Sequence, residues 1–220
     1  MISAREPTKT ERERFAMNLM RRLFGPSRKE IWTKLSQEMH GRYVAGGWGT
    51  GDKVQVEHND WTLTLDTYAV STGKVVIIFT RMRAPFVNPS RFRFRVYRKS
   101  IFSGIGKLFG MQDITVNDPP FDDDFIVQGS DEFRVRQLLS SPKLRELISA
   151  QKDISFEVKD DEGWFGTKFP DGVDELYFAV AGVIKDVDRL KLLYDLFAET
   201  LDELCRIGTA SNDRPGVQVK

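Results

Sequence analysis

The sequence contains little of what marks disulfide-bonded, metal-binding or membrane-spanning proteins. A single cysteine, Cys205, excludes an intramolecular disulfide and a cysteine-rich zinc site. The two histidines, His40 and His58, are far apart in the chain, so we expect neither a metal site nor a proton relay from them. The apolar run at 75–79 is too short to span a bilayer, and residues 1–9 have no apolar core typical of a signal peptide. We therefore predict a cytoplasmic protein without metal or cofactor and without a transmembrane segment, with attachment to the periphery of a membrane left open.

The charges are divided unevenly along the chain, although the formal net charge is only +1. Residues 1–110 carry 20 Lys and Arg against 9 Asp and Glu, whereas residues 111–220 carry 13 against 23. Either the two halves neutralise each other within one fold, or one face is basic and favours polyanions. We favour the first arrangement, because an even distribution leaves little long-range field at physiological salt. Head-to-tail self-association through the opposite halves is a further alternative.

The first part of the chain predicts two helices. Residues 10–24 carry an apolar stripe with arginines beside it, which favours a helix packed on its own sheet over an interfacial membrane helix. The stripe consists of Phe15, Leu19 and Leu23. Ser27 and Glu30 have the spacing of a capping box, which predicts the start of a second helix. Gly41 is placed to end that helix in a left-handed cap.

Alternation with a period of two predicts an antiparallel sheet in the rest of the chain, before a long amphipathic helix over 186–207. The predicted strands are 53–58, 61–68, 74–83, 91–98, 121–128, 154–158, 164–169 and 176–184. The fold class is therefore α+β, an antiparallel sheet of about seven to eight strands packed by N-terminal helices and a long C-terminal helix. We expect one domain over residues 1–210, with any seam at 117–120, and a polar tail over 211–220.

Residues 46–53 are rich in glycine but do not match a phosphate-binding loop. Such a loop needs lysine directly after its last glycine, and then serine or threonine. Here Asp52 separates Gly51 from Lys53, and Val54 follows. A flexible turn is favoured over a nucleotide site.

The most regular charged pattern is the run of arginines in the predicted strand 91–98. Alternate side chains of a strand share a face, so these arginines are predicted to lie opposite the phenylalanines between them, and two arginines of the preceding strand lie nearby. Together they are our candidate site for anionic groups such as phosphates. The candidate anion site consists of Arg81, Arg83, Arg91, Arg93 and Arg95. A solvent face paired with acids of the second half is the favoured alternative, and aromatics on the opposite face disfavour RNA stacking.

A cluster of acids at 118–124 offers a second candidate site. Asp122 and Asp124, beside the basic strand, could serve an enzyme that acts on a phosphorylated or nucleic-acid substrate. Within a strand they would face away from Asp123, and the spacing matches no calcium loop, so no metal site is predicted. No serine lies in a Gly-x-Ser-x-Gly elbow.

One stretch of the sequence resembles a known family. The motif Phe121-Asp122-x-x-Phe125-x-Val127 is followed by Ser130-Asp131, Leu138-Leu139-Ser140 and Leu144. Over residues 112–208 this order resembles a family of uncharacterised bacterial proteins with a domain of unknown function. The resemblance implies a bacterial source and a strand, then helices, a strand pair and a C-terminal helix. It implies no activity or cofactor.

Together these observations favour a non-enzymatic binding or scaffold domain, since good core patterning is not accompanied by a convergent nucleophile, base or ligand set. We expect its partner to be another protein or the anionic periphery of a membrane, and nucleic acid is less favoured. The alternative is an enzyme that uses the carboxylates beside the basic strand.

Overall fold

The centre of the fold is an antiparallel sheet with nine strands in the described residues. The structure, a computed structural model, describes residues 8–9, 25–47, 51–101, 112–160, 168–217 and 219. The strand order is β1-β2-β3-β4-β9-β8-β5-β7-β6, and all neighbouring pairs are antiparallel. The strands are β1 (Arg42–Val44), β2 (Lys53–His58), β3 (Trp61–Ser71), β4 (Val76–Val87), β5 (Phe94–Arg98), β6 (Gln112–Ile114), β7 (Phe125–Gly129), β8 (Ser155–Lys159) and β9 (Val173–Ala181).

The α-helices of the described ranges pack on one face of this sheet. They are α1 (Arg28–Glu38), α2 (Pro119–Asp124), α3 (Glu132–Leu138), α4 (Pro142–Ser149) and α5 (Val187–Arg206). Their buried apolar side chains form one cluster with alternate residues of the strands, such as Leu65, Met82, Val96 and Phe178. None of these helices is apolar enough over a sufficient length to cross a membrane.

The predicted α+β class, the antiparallel sheet and the long C-terminal helix are confirmed. The sheet has nine strands instead of seven to eight. The additional strands, β1 and β6, have three residues each, too few for a visible alternation of polar and apolar side chains. The predicted helix over 10–24 and most of the predicted strand over 164–169 lie outside the described residues.

Helix α1 begins at the predicted capping box. The Ser27 hydroxyl accepts a hydrogen bond from the Glu30 amide at 3.2 Å, and the Glu30 carboxylate accepts one from the Ser27 amide at 2.8 Å. The left-handed residue at the other end is His40, with φ of 51°, and not Gly41 as predicted. Gly41 is required there for close approach, because a Cβ would lie 2.5 Å from the Gln55 carbonyl oxygen.

Helix α5 supplies the largest part of the helical layer. Phe197 and all of its leucines except the exposed Leu192 are buried, and the Phe197 ring packs on Phe156 of β8 with centroids 5.4 Å apart. Each fully buried side chain of this size contributes roughly 1.5–3 kcal/mol. Asp186 caps the first turn, and Gly208, with φ of 71°, follows the end of the helix.

The predicted strand over 121–128 starts later than expected. Residues 119–124 form helix α2, because the Asp118 carboxylate accepts from the Phe121 amide and two prolines occupy the first helical positions. The strand β7 begins at Phe125, whose ring stacks on that of Phe121 at 4.6 Å. A local capping signal here overrides the alternation that the sequence suggested.

Two boundaries predicted from the sequence can be located in the structure. The predicted seam at 117–120 lies between β6 and β7, and these two strands pair with each other in the same sheet. In the C-terminal segment, the Ser211 amide donates to the Val87 carbonyl at 3.0 Å, and Lys53 donates to the carbonyl of Val219 at 3.2 Å. That residues 1–210 form one domain stays a prediction.

Candidate functional site

The face of the sheet opposite the apolar cluster carries a polar row that crosses all the strands named above. Strand register places one polar residue of each strand next to one of the following strand. In spatial order the row consists of Arg42, Gln55, Thr64, Arg83, Tyr177, Glu157, Arg95, Gln128 and Asp113. At its two ends Arg42 donates to Gln55 at 2.7 Å, and Gln128 donates to Asp113 at 2.8 Å. Two arginines of the candidate anion site, Arg83 of β4 and Arg95 of β5, thus share one row, with β9 and β8 between them.

Arg81 and Arg83 both donate to the same carboxylate, that of Asp66. Arg81 makes a two-pronged contact, with both distances 2.8 Å, and Arg83 approaches the second oxygen at 2.6 Å. Asp66 is 3% exposed and Arg83 is 1% exposed, so this cluster lies within the fold. A paired, buried cluster of this kind is held by hydrogen bonds in fixed geometry. Both guanidinium groups are therefore engaged by an acid of the protein itself.

The three arginines of the predicted strand 91–98 do not share one strand face. β5 begins only at Phe94, and Arg91 lies in the preceding turn with φ of 51°. Arg93 approaches Asp160 at 3.4 Å and Asp174 at 3.6 Å, and Arg95 approaches Glu157 at 3.6 Å. The acids all belong to the second half of the chain, as the favoured alternative from the sequence described.

The turn before β5 is built around a buried asparagine. Asn88 accepts a hydrogen bond from the Phe92 amide at 3.1 Å and donates to the Phe92 carbonyl at 2.8 Å. It also donates to the Asp174 carboxylate at 2.6 Å. Burial raises the pKa of Asp174 despite this hydrogen bond and the nearby Arg93. The turn breaks the alternation that the arginine pattern predicted.

A pair of tyrosines lies next to the arginine cluster. The Tyr177 and Tyr68 hydroxyls are 3.4 Å apart, and the Lys159 ammonium lies 3.3 Å from the centre of the Tyr177 ring. Burial, with the hydrogen bond to Tyr68, raises the pKa of Tyr177 far above its usual range. In this contact the Tyr177 hydroxyl donates to the Tyr68 hydroxyl.

Asp122 and Asp124 do not converge on one point. Asp122 accepts from the backbone amides of Val116 and Asp118 at 2.9 and 3.2 Å, so it holds the loop before α2. Asp124 pairs with Arg98 at 2.8 Å and lines a cavity of about 310 Å³ between α2 and α4. Within the described ranges, no group of three or more His, Cys, Asp or Glu side chains could hold a metal ion.

A second cavity, of about 580 Å³, lies between the β2–β3 turn and residues 214–217. Its charged lining residues are Glu57, Asp60 and Arg214, and Arg214 pairs with Asp60 at 2.8 Å. All three side chains are solvated rather than buried, and a surface ion pair of this kind is weak.

The turn between β3 and β4 carries an apolar surface that the sequence reasoning missed. We name the segment Val70–Ile78 the apolar hairpin, in which Val76 is 63% exposed and Val75 57% exposed. The exposed large apolar residues of this hairpin are Val70, Val75, Val76, Ile77 and Ile78. β3 and β4 pair with each other as far as Ser71 and Val76, beyond the last β3 residue that pairs with β2. The run at 75–79 was the available signal, because a strand with one solvated face normally alternates.

Comparison with known proteins adds little to this geometry. Neither a protein-family model nor a curated protein matches the chain. Among solved structures, the crystal structure of the mycobacterial trehalose monomycolate transport factor A is similar at 8% identity and a TM-score of 0.49, over 81% of this chain and 94% of that one. The likeness transfers no residue role or activity to this protein. The resemblance of residues 112–208 to an uncharacterised bacterial family stays a prediction.

Proposed function

We propose that the protein is a non-enzymatic binding module and that the apolar hairpin is the surface through which it docks. The observation that carries this proposal is the exposure of five large apolar side chains at neighbouring positions of β3, β4 and the turn between them. Apolar residues scattered singly over a surface need no explanation, whereas a contiguous group marks a docking site. Covering these side chains releases their hydration shell and drives association.

The way in which the charged groups are held supports binding over catalysis. Asp66 is engaged by two arginines, and Asp122 accepts from backbone amides. A catalytic acid or base needs a group that is offered to a substrate within a cleft. Groups satisfied inside the fold stabilise it instead.

The proposal is tested by photo-crosslinking from the hairpin of the purified, labelled protein, added to unfractionated extracts of cells that produce it, membranes included. With Cys205→Ser as background, Ile77→Cys places a thiol-linked photoreactive probe on the hairpin. Phe133→Cys gives the matched control, because Phe133 is an apolar side chain that is 70% exposed on α3. We expect an adduct from position 77 and none from position 133. Adducts with protein and with lipid both count.

Competition separates docking from adhesion of the probe. Excess unlabelled protein should reduce the adduct, whereas excess Val76→Ser/Ile78→Ser protein should not. Equal adducts from both positions, or competition by the serine variant, would remove the hairpin as the docking surface.

A further inference from the structure

We infer that the partner of the apolar hairpin is the anionic surface of a lipid bilayer. The inference rests on the proposed function and names the partner of the same surface. It is drawn from the juxtaposition of the hairpin with three exposed lysines at one end of the sheet.

The hairpin exposes apolar side chains on both of its faces. The register pairs Val70 with Ile77 on one face, and Ser71 with Val76 on the other. Ile78 shares the second face with Val76, because alternate residues of a strand point the same way. A binding groove on a protein covers one face of a two-stranded ribbon, whereas an apolar liquid surrounds both. Immersion in the boundary of the acyl chains therefore accounts for the whole surface.

The charge of the hairpin matches an anionic surface. Residues 67–85 contain no Asp or Glu, and Lys74 lies in the turn itself. Lys74 is exposed and has no ion-pair partner among the described residues. Its four-carbon stem lets the ammonium group return to phosphates while the neighbouring valines enter the apolar layer.

Two further lysines lie at the base of the hairpin. Arg28 of α1 donates a hydrogen bond to the Thr67 hydroxyl of β3 at 2.8 Å, and Lys29 is the next residue along the helix. The Ile184 amide donates to the Thr80 hydroxyl of β4 at 2.9 Å, and Lys185 follows it in the chain. Both lysines are exposed, and in the described part of the chain neither forms an ion pair. Each lysine near an anionic leaflet strengthens binding about fivefold.

The length of the hairpin fits the interfacial layer of a bilayer. From the pair Thr67–Thr80 to the pair Ser71–Val76 there are four residue steps. At ~3.3 Å a step the apolar part is about 13 Å long. Interfacial elements are buried ~5–10 Å deep, so the hairpin reaches the acyl boundary while its base and the lysines stay among the headgroups.

Vesicle flotation of the full chain tests the inference. With about fivefold from each of the three lysines, we expect binding to vesicles with about 30% phosphatidylserine to exceed binding to pure phosphatidylcholine vesicles by about a hundredfold. Ile77→Ser/Ile78→Ser, with one change on each face, should weaken binding by about tenfold or more. Lys74→Gln should weaken binding to the anionic vesicles about fivefold and lower its dependence on salt concentration, while Lys29 and Lys185 keep the rest of that dependence. Phe133→Ser should bind like the original protein.

Each variant is checked for an unchanged melting temperature, so that weaker vesicle binding is distinguished from unfolding. Lys74 lies in an exposed turn, where substitution leaves the core intact. Failure of the original protein to float with anionic vesicles overturns the inference, as does an equal loss in Phe133→Ser. Saturable crosslinking of position 77 to a protein, without vesicle binding, removes the bilayer and keeps the docking surface. If neither the crosslink nor flotation occurs, the proposed function fails as well.

Discussion

Replacing Asp66 by asparagine should destabilise the protein strongly, although the side chain keeps its size. The carboxylate accepts three hydrogen bonds from two guanidinium groups, at 2.6–2.8 Å. Arg83 is 1% exposed and Asp66 is 3% exposed, so water cannot replace the lost charge without opening the sheet face. The variant leaves two like charges side by side and removes this counter-charge.

The magnitude follows from the burial of the pair. Removing one partner of a buried ion pair costs about 3–5 kcal/mol, because the remaining charge stays desolvated. Asparagine keeps one carbonyl acceptor, so we expect the lower end, about 3 kcal/mol. Domains of this kind have a total unfolding free energy of roughly 5–15 kcal/mol, so the loss is a large fraction of the whole.

Urea unfolding followed by circular dichroism measures the effect, with Asp160→Asn as the matched control. The side chain of Asp160 is 69% exposed and pairs with Arg93 at 3.4 Å. Exposed ion pairs contribute about 0–1 kcal/mol, so the control should unfold almost like the original protein. A loss below about 1 kcal/mol for Asp66→Asn would mean that the ion pairs of Asp66 are no stronger than solvated ones. Arg81 and Arg83 would then be hydrated and available to anions.

Other predictions concern close packing, pH and the predicted anion site. Gly41→Ala should cost about 2 kcal/mol or more in unfolding free energy, because the new Cβ would meet the rigid Gln55 carbonyl at 2.5 Å. Burial raises the pKa of Asp174, so the folded protein holds this proton to higher pH than the unfolded chain does. Its contribution to stability therefore falls as pH rises from the unfolded value through the raised one, and Asp174→Asn should flatten that slope in unfolding measured from about pH 4 to 7. Arg91→Gln should weaken tripolyphosphate binding in calorimetry if the predicted anion site operates, with unfolding changed by less than about 0.5 kcal/mol. Unchanged binding would remove Arg91 from that site.

Much of the local structure could be predicted from neighbouring residues. The capping box at Ser27 is confirmed, because it depends on contacts within a few residues. The apolar stripe of α5 likewise indicated both a helix and its buried face. The strand predicted over 121–128 was wrong in its first half, because the Asp118 cap and the prolines favour a helical turn.

The candidate sites were less predictable. Alternation alone placed Arg91, Arg93 and Arg95 together, but it contained no sign of the Asn88 turn that delays β5. It also could not identify Asp66 as the partner of both Arg81 and Arg83. A row of like charges in one strand leaves open which opposite charges the neighbouring strands bring to it.

The amino-acid sequence alone determined the α+β class, the period of most strands, and the helix starts, since propensity and capping act over a few residues. Which strands became neighbours depended on the packing of the whole chain, which pairs β5 with β8 and β4 with β9. Closing loops of different lengths differs little in free energy, so local patterns do not select among such pairings. That choice buried the Asp66 cluster and left the β3–β4 hairpin extending beyond its neighbours, exposed on both faces.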